Sequence, residues 1–184
     1  MTTSFGFVIR DGLKTDVEAC LALDHSYQTE HVWQMSIRQD QNQRQITFRI
    51  ERLPRAMEVV YPADTKRLHL VLPVNQCFLV AVGREQQEVV GYLTMRQDSA
   101  LQNAQIHDIV VSRDYRRLGI GTRLLRIGRQ WARERDLNQL TIETQTKNYP
   151  AITFGQKSGF VFCGFNDHYY TNQDIAVFFS QSLR

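Results

Sequence analysis

Apolar and polar positions alternate with a period of two on both sides of a short polar stretch. Trp33, Met35 and Ile37 alternate with polar or small residues, and so do Ile46, Phe48 and Ile50. Between them Arg38 to Gln45 reads R-Q-D-Q-N-Q-R-Q. The pattern predicts a β-hairpin near residues 32–51 with a long, mobile loop. Ahead of it, Thr15 is placed to cap a helix running to about Tyr27, with Asp16 and Glu18 in its first turn. Behind it, a short helix is expected from Asp64 to about Leu70, in a region punctuated by Pro54, Pro62 and Pro73.

The second half has a clearer rhythm. Cys77 to Gly83, Val89 to Met95 and Gln105 to Val111 read as three strands. A helix follows from about Ile120 to Arg135, with Ile120, Leu124, Leu125, Gly128 and Trp131 on one face. Leu140 to Thr144 is a further strand. Pro150 suits the first turn of a short helix ending near Ser158, and Gly159 suits its C-terminal cap. Phe160 to Phe165 and Ile175 to Ser180 complete the order β-β-β-α-β-α-β-β. That order describes a mixed α/β (α+β) sheet and excludes a doubly wound one.

The chain has 184 residues, a length that predicts a single domain, 1–184. Hydrophobic residues at 42% and charged residues at 22% exclude a mostly disordered chain. No apolar run is long enough to cross a bilayer. Met1 to Asp11 lacks a basic segment followed by an apolar core, so no secretory signal is expected. Cys20, Cys77 and Cys163 are odd in number and widely spaced. They read as reduced thiols of a cytoplasmic protein, and no metal site is expected.

The formal charge is only +3, but just four of the basic residues are lysines (Lys14, Lys66, Lys147, Lys157). Many of the arginines fall between Arg113 and Arg135, and a guanidinium fork suits phosphate. The rest of the chain is close to neutral, which favours a small phosphorylated ligand over nucleic acid. The most informative stretch is Ile106 to Arg129, where an apolar strand runs into Arg116-Arg117-Leu118-Gly119-Ile120-Gly121-Thr122 and then a helix. A helix N-terminus offers N–H groups without intrahelical partners and a positive dipole end. Glycines let a ligand approach the backbone, and the arginines add charge. Together these make a pyrophosphate cradle. It is neither a Walker loop nor a dinucleotide fingerprint.

Here the sequence resembles a known family. R-x-x-G-x-G after a strand ending in Val is similar to the acetyl-CoA-binding motif of the GNAT N-acetyltransferases. Asn148-Tyr149-Pro150-Ala151, Phe154 and Gly159-Phe160 resemble the N-x-x-A…G-F block of the same family, at matching spacing. The resemblance covers about Phe78 to Phe179, with an acetyl-CoA-binding core over about 78–165. Before that it extends only to a first strand, Phe7 to Arg10, and the first helix. It implies the GNAT fold: a mostly antiparallel mixed sheet flanked by helices, here with the extra hairpin. Ile106 to Thr122, and Glu143 through Phe179, further resemble the streptothricin-type antibiotic acetyltransferases.

The resemblance implies acetyl-CoA as cosubstrate and direct transfer of its acetyl group to an amine. Ile109, Val110 and Val111 would pair with pantetheine, with an N–H near Val111 stabilising the oxyanion. Arg116, Arg117, Leu118, Gly119, Ile120, Gly121 and Thr122 would hold the pyrophosphate, and Asn148 is the motif asparagine. Base candidates are Asp108, Glu143 and His107. Their structural alternatives are a loop hydrogen bond, a helix partner and a solvated strand residue respectively. Many members place a tyrosine seven residues after the motif asparagine, where this chain has Gly155. Tyr149, Tyr169 and Tyr170 are the hydroxyls left to protonate the thiolate. Asp24, His25, Tyr27, Glu30 and Trp33 would suit a cationic acceptor, while Trp33 could equally pack the hairpin onto the sheet.

The reading is an acetyl-CoA-dependent N-acetyltransferase acting on a primary amine of a small molecule, with an antibiotic as a candidate acceptor. A protein or peptide N-acetyltransferase, a non-catalytic acetyl-CoA-binding regulator and an RNA-associated protein are the alternatives. No nucleic-acid or membrane partner is expected, and the apolar tail and hairpin could support a homodimer.

Overall fold

The structure is a computed structural model and describes residues 5–60, 68 and 77–184. Nine strands are present among them: β1 (Phe7–Asp11), β2 (Ser26–Asp40), β3 (Gln43–Val60), β4 (Cys77–Gly83), β5 (Val89–Asp98), β6 (Asn103–Val111), β7 (Gln139–Gln145), β8 (Val161–Asn166) and β9 (Ala176–Ser182). Among the described residues the α-helices with both ends in view are α1 (Val17–Leu21), α2 (Ile120–Arg133) and α3 (Tyr149–Lys157). Backbone bonding follows the order β1-β4-β5-β6-β7-β9-β8, and β2 pairs only with β3. The β1–β4, β4–β5 and β5–β6 ladders are antiparallel and β6–β7 is parallel. This is the expected mixed, mostly antiparallel sheet with an added hairpin. Among the described residues no helix is long and apolar enough to cross a membrane.

The chain divides into two compact units. One comprises Met1–His25, Tyr61–Ile142 and Ser180–Arg184; the other comprises Ser26–Val60 and Glu143–Phe179. In the first, β4 is buried at every position, as a strand covered on both faces must be. Phe78, Val80 and Val82 pack with Val17, Cys20, Leu68 and Tyr92 on one face. Helix α2 buries Ile120, Leu124, Leu125, Gly128 and Ala132, with Gly128 against Met95 and Leu93. Burial pushes the Cys20 and Cys77 thiols up to about 12, so both are protonated and inert.

In the second unit, β2 and β3 pair from Ser26↔Val60 to Asp40↔Gln43. The ladder slips once: Thr29 faces Met57 and His31 faces Arg52, so four residues, 53–56, oppose Glu30 alone. Pro54, which has no N–H to give a ladder, sits in that bulge. The apolar face of the hairpin rests on β8 and β9. Trp33 lies 5.7 Å from Phe48, 5.8 Å from Phe162 and 5.6 Å from Phe179 between ring centroids, and Phe48 lies 5.6 Å from Phe165. Aromatic contacts of this kind, centred on buried Phe179, support a ribbon that would be marginal as an isolated hairpin.

Three sequence expectations change. The stretch from Arg38 to Gln45 is not a long loop. Arg38↔Gln45, Gln39↔Arg44 and Asp40↔Gln43 are paired, leaving a turn at residues 41–42. Both faces of the ribbon are solvated there, so no apolar alternation marks the strands. The helix expected to reach Tyr27 ends at Leu21, and Tyr27 is buried in β2 instead. Thr15 is not its cap: a 3-10 turn, Lys14–Asp16, precedes α1, and the Asp16 carboxylate accepts the Leu13 N–H at 2.8 Å. The helix expected over 64–70 lies outside the described residues except for Leu68, which is helical and buried.

Asp16 also receives both Arg10 nitrogens, at 2.7 and 2.8 Å. These bonds to Arg10 hold its carboxyl below the usual aspartate range. A carboxyl depressed by folding stabilises at pH above its unfolded value and loses that contribution as pH falls through the folded one. Asp16→Asn should therefore lower stability by about 1 kcal/mol near neutrality, a modest loss because Arg10 is partly exposed. Denaturant melts of the two proteins should converge in strong acid, and a gap that persists there would contradict the assignment.

Candidate functional site

The first unit carries the arginine-glycine stretch Arg116–Thr122, and the β6 ladder leads into it. Ser112 N–H donates to the Val90 carbonyl at 2.9 Å, which makes Tyr92 and Val110 the next hydrogen-bonded pair on this antiparallel ladder. Ile109 and Val111 therefore turn their backbone groups away from β5. The parallel ladder to β7 runs only from Asn103↔Gln139 to Ile106↔Ile142. Among the described residues β6 thus ends with a partner on one edge only, and Ile109 and Val111 present main-chain donors and acceptors on the other. The Val111 carbonyl accepts from Arg116 Nε at 2.9 Å, which leaves its N–H.

The slip in the β5–β6 register, with Thr94↔Asp108 but Met95↔Ile106, leaves His107 as the extra residue. Asp108, 7% exposed, accepts from Thr94 Oγ1 at 2.8 Å. A close approach on the same ladder requires Gly91, since a Cβ there would stand 2.7 Å from the Val110 carbonyl oxygen. His25 and Tyr92, also in this unit, meet at 3.0 Å between Nε2 and the hydroxyl.

A 3-10 turn, Arg113–Tyr115, leads into the loop. Arg117 and Gly119 both have positive φ, +64° and +83°. Gly119 is the N-terminal cap residue of α2 and supplies no capping side chain. The first backbone bond of the helix is Arg123 N–H to the Gly119 carbonyl at 3.0 Å. The N–H groups of Ile120, Gly121 and Thr122 thus point ahead of the helix without an intrahelical acceptor. With the exposed Arg117 and Leu118 beside them, they form a donor set that fits the pyrophosphate of acetyl-CoA. Arg116 makes two contacts of its own in this structure. Its guanidinium is spent on the carbonyls of Val111 (2.9 Å) and Asp24 (3.2 Å), so it fastens the loop to the end of β6. Burial lowers its pKa, and a guanidinium remains charged regardless.

The second unit carries Asn148, Tyr149 and Glu143. Asn148 caps α3, its Oδ1 accepting the Ala151 N–H at 3.1 Å. The Tyr149 ring lies 5.2 Å from that of His31. Glu143 Oε2 accepts a 2.6 Å hydrogen bond from the Tyr169 hydroxyl, joining two residues that the sequence offered separately. Gly155 is buried, yet a Cβ on it would meet nothing within 4 Å. Of the expected acceptor-side residues, Tyr27 is bound to Gln145 and Trp33 is packed among phenylalanines. Asp24 pairs with Arg113 at 3.6 Å. Sequence reasoning missed Gln145 and Asp174, because polar residues at a strand end and in a loop carry no periodic signal.

Comparison with known proteins shows the family and the fold. The model of the Acetyltransferase (GNAT) family matches residues 23–160. A streptothricin acetyltransferase from Streptomyces lavendulae is 29% identical over 178 residues, covering 92% of this chain and 90% of that one. The crystal structure of nourseothricin acetyltransferase has a TM-score of 0.85 at 24% identity, covering 97% of this chain and 99% of that one, a likeness of fold. A Bacillus anthracis str. Ames protein assigned as a streptothricin acetyltransferase, solved with acetyl coenzyme A, gives 0.77 at 25% identity over 96% of this chain and 98% of that one.

The loop geometry makes a specific prediction. Space surrounds Gly119, with nothing within 4 Å of an added Cβ, so its φ is the constraint. Gly119→Asn, which tolerates the left-handed region, should keep most acetyl-CoA affinity by calorimetry. Gly119→Val should weaken it about tenfold, because a β-branched residue resists positive φ. Equal losses in both variants would mean that a side chain obstructs the ligand instead.

Proposed function

The chain belongs to the acetyltransferase (GNAT) family and is an acetyl-CoA-dependent N-acetyltransferase; from that premise we propose that its acceptor is a primary amine of a streptothricin-type antibiotic. The observation that carries this reading is the likeness to the Streptomyces lavendulae enzyme along nearly the full length of both chains. A fold shared at a TM-score of 0.85 with nourseothricin acetyltransferase supports it. Two buried, protonated thiols suit a reducing, cytoplasmic setting.

In this reading the N–H groups of Ile120, Gly121 and Thr122, with Arg117, hold the pyrophosphate. Ile109 and Val111 pair with the pantetheine arm as an added half-strand. The Val111 N–H meets the thioester oxygen, where negative charge develops as the amine attacks. The N–C bond forms, the C–S bond breaks and the thiolate leaves. The amine must shed its proton, and Glu143, oriented by Tyr169, is assigned as the group that receives it. Asp108 is assigned a structural role, since Thr94 holds it within the sheet. Asn148 acts on the site through the cap of α3. Tyr149 remains a candidate acid for the thiolate, which is a tolerable leaving group even without one.

Release of free CoA thiol from acetyl-CoA tests the acceptor. Streptothricin should stimulate it at least about tenfold more, in kcat/KM, than aminoglycosides, polyamines or N-terminal peptides, the scale expected of a pocket built around one amine. Mass spectrometry should find one acetyl group on the antibiotic. Stimulation by peptides alone would overturn the proposed acceptor while leaving the acetyltransferase chemistry intact.

A further inference from the structure

We propose that buried Gln145 and Asp174 form a positioning pair that holds Tyr169 on Glu143 and so sets the geometry in which the acceptor ammonium is received. This rests on the assignment of Glu143 to the acceptor amine made above. Gln145 is 0% exposed, at the end of β7. A carboxylate can only accept, so the Gln145 amide NH2 must face Asp174, and Nε2 lies 2.6 Å from Asp174 Oδ2. Its carbonyl is thereby turned toward Tyr27, whose buried hydroxyl donates to Oε1 at 2.9 Å. The amide of Gln145 carries both the donor and the acceptor that these two neighbours require.

Asp174 converts that anchor into a loop shape. Its Oδ2 also receives Lys147 Nζ at 2.5 Å and Asn172 Nδ2 at 2.8 Å. Its backbone carbonyl accepts the Tyr169 and Tyr170 N–H groups at 3.2 and 3.4 Å. Within residues 167–175, His168 and Gln173 have positive φ, so the loop is held in a conformation that a free chain rarely adopts. Tyr169 stands edge-on to Tyr170 and Phe178, at 5.2 and 5.5 Å, and its hydroxyl reaches Glu143. Glu143 and Gln145 are two apart on one strand and share a face. The loop between β8 and β9 therefore touches β7 twice, through Asp174 at residue 145 and through Tyr169 at residue 143. Tyr169 itself is 41% exposed.

A double-mutant cycle tests this, with streptothricin as acceptor, acetyl-CoA as donor and melting curves as the folding control. Asp174→Ala should lower acceptor kcat/KM about tenfold, as misplacing a group by a fraction of an ångström does, and leave the acetyl-CoA KM unchanged. Asp174→Asn, which keeps an acceptor for Gln145, should restore part of the loss. Adding Asp174→Ala to Tyr169→Phe should cost no more than Tyr169→Phe alone, and both single variants should shift the pH profile of kcat/KM alike. Losses that multiply would overturn the proposal, because Asp174 would then act by another route. If Asp174→Ala does not fold, the cycle is run with Asp174→Asn and Gln145→Leu. Faster hydrogen exchange at the Tyr169 and Tyr170 amides, which needs no substrate, is the expected companion result; unchanged exchange would also overturn it. Glu143→Gln separates the two levels. If it leaves acceptor kinetics unchanged, the assignment of Glu143 itself fails, whereas a loss there beside additive losses at Asp174 and Tyr169 sinks only the positioning pair.

Discussion

Everything that makes the first unit a plausible donor site depends on one strand, β6, having unequal neighbours. Its ladder with β5 continues to Val111, while its ladder with β7 stops at Ile106. Main-chain groups exposed in this way demand a partner, and an extended amide-bearing ligand supplies one without any side-chain recognition. The tight β5–β6 approach at Gly91 and the clamp of Arg116 on the Val111 carbonyl keep that end of the strand from fraying. The same clamp fixes the start of the loop whose left-handed residues, Arg117 and Gly119, aim the first amides of α2 forward. Strand end and helix start are thus one continuous device, and its chemistry is mostly backbone.

The second unit works by the opposite means. Its hairpin is stabilised by side chains, through Trp33 and Phe48 against Phe162, Phe165 and Phe179, because a two-stranded ribbon alone is marginal. Polar contacts then add direction. Tyr27 to Gln145 ties β2 to β7, and the Trp33 N–H donates to the Thr146 carbonyl at 2.9 Å. Beyond Trp33 and Phe48 the apolar stripe continues to Ile37 and Ile46, the former 51% exposed, so burial fades along the ribbon while pairing persists.

That difference explains what the sequence could reveal. The second half was legible because its strands and helices bury one face each, and burial imposes a period. The motif from Arg116 to Thr122 was legible because its paired glycines open a helix beside arginines, and the positive φ at residue 119 favours glycine there. The ends of β2 and β3 were not, since a ribbon solvated on both faces leaves no pattern for residues 38–45. The length of α1 was misjudged because Ala22 and Leu23 favour a helix locally, while Tyr27 is claimed by a buried partner 118 residues away. Arg116 stood out by its charge; its contacts with the Val111 and Asp24 carbonyls carry no signal in the sequence. Asp174 was invisible for the same reason, as its importance lies in what converges on it.

The central claim is that backbone amides at the end of β6 and the start of α2 hold acetyl-CoA. Residue-resolved hydrogen exchange with and without acetyl-CoA tests it most directly. The amides of Ile109, Val111, Ile120, Gly121 and Thr122 should become protected together, while that of Val110, already paired with β5, should change little. Binding that leaves those five amides unprotected would contradict the account.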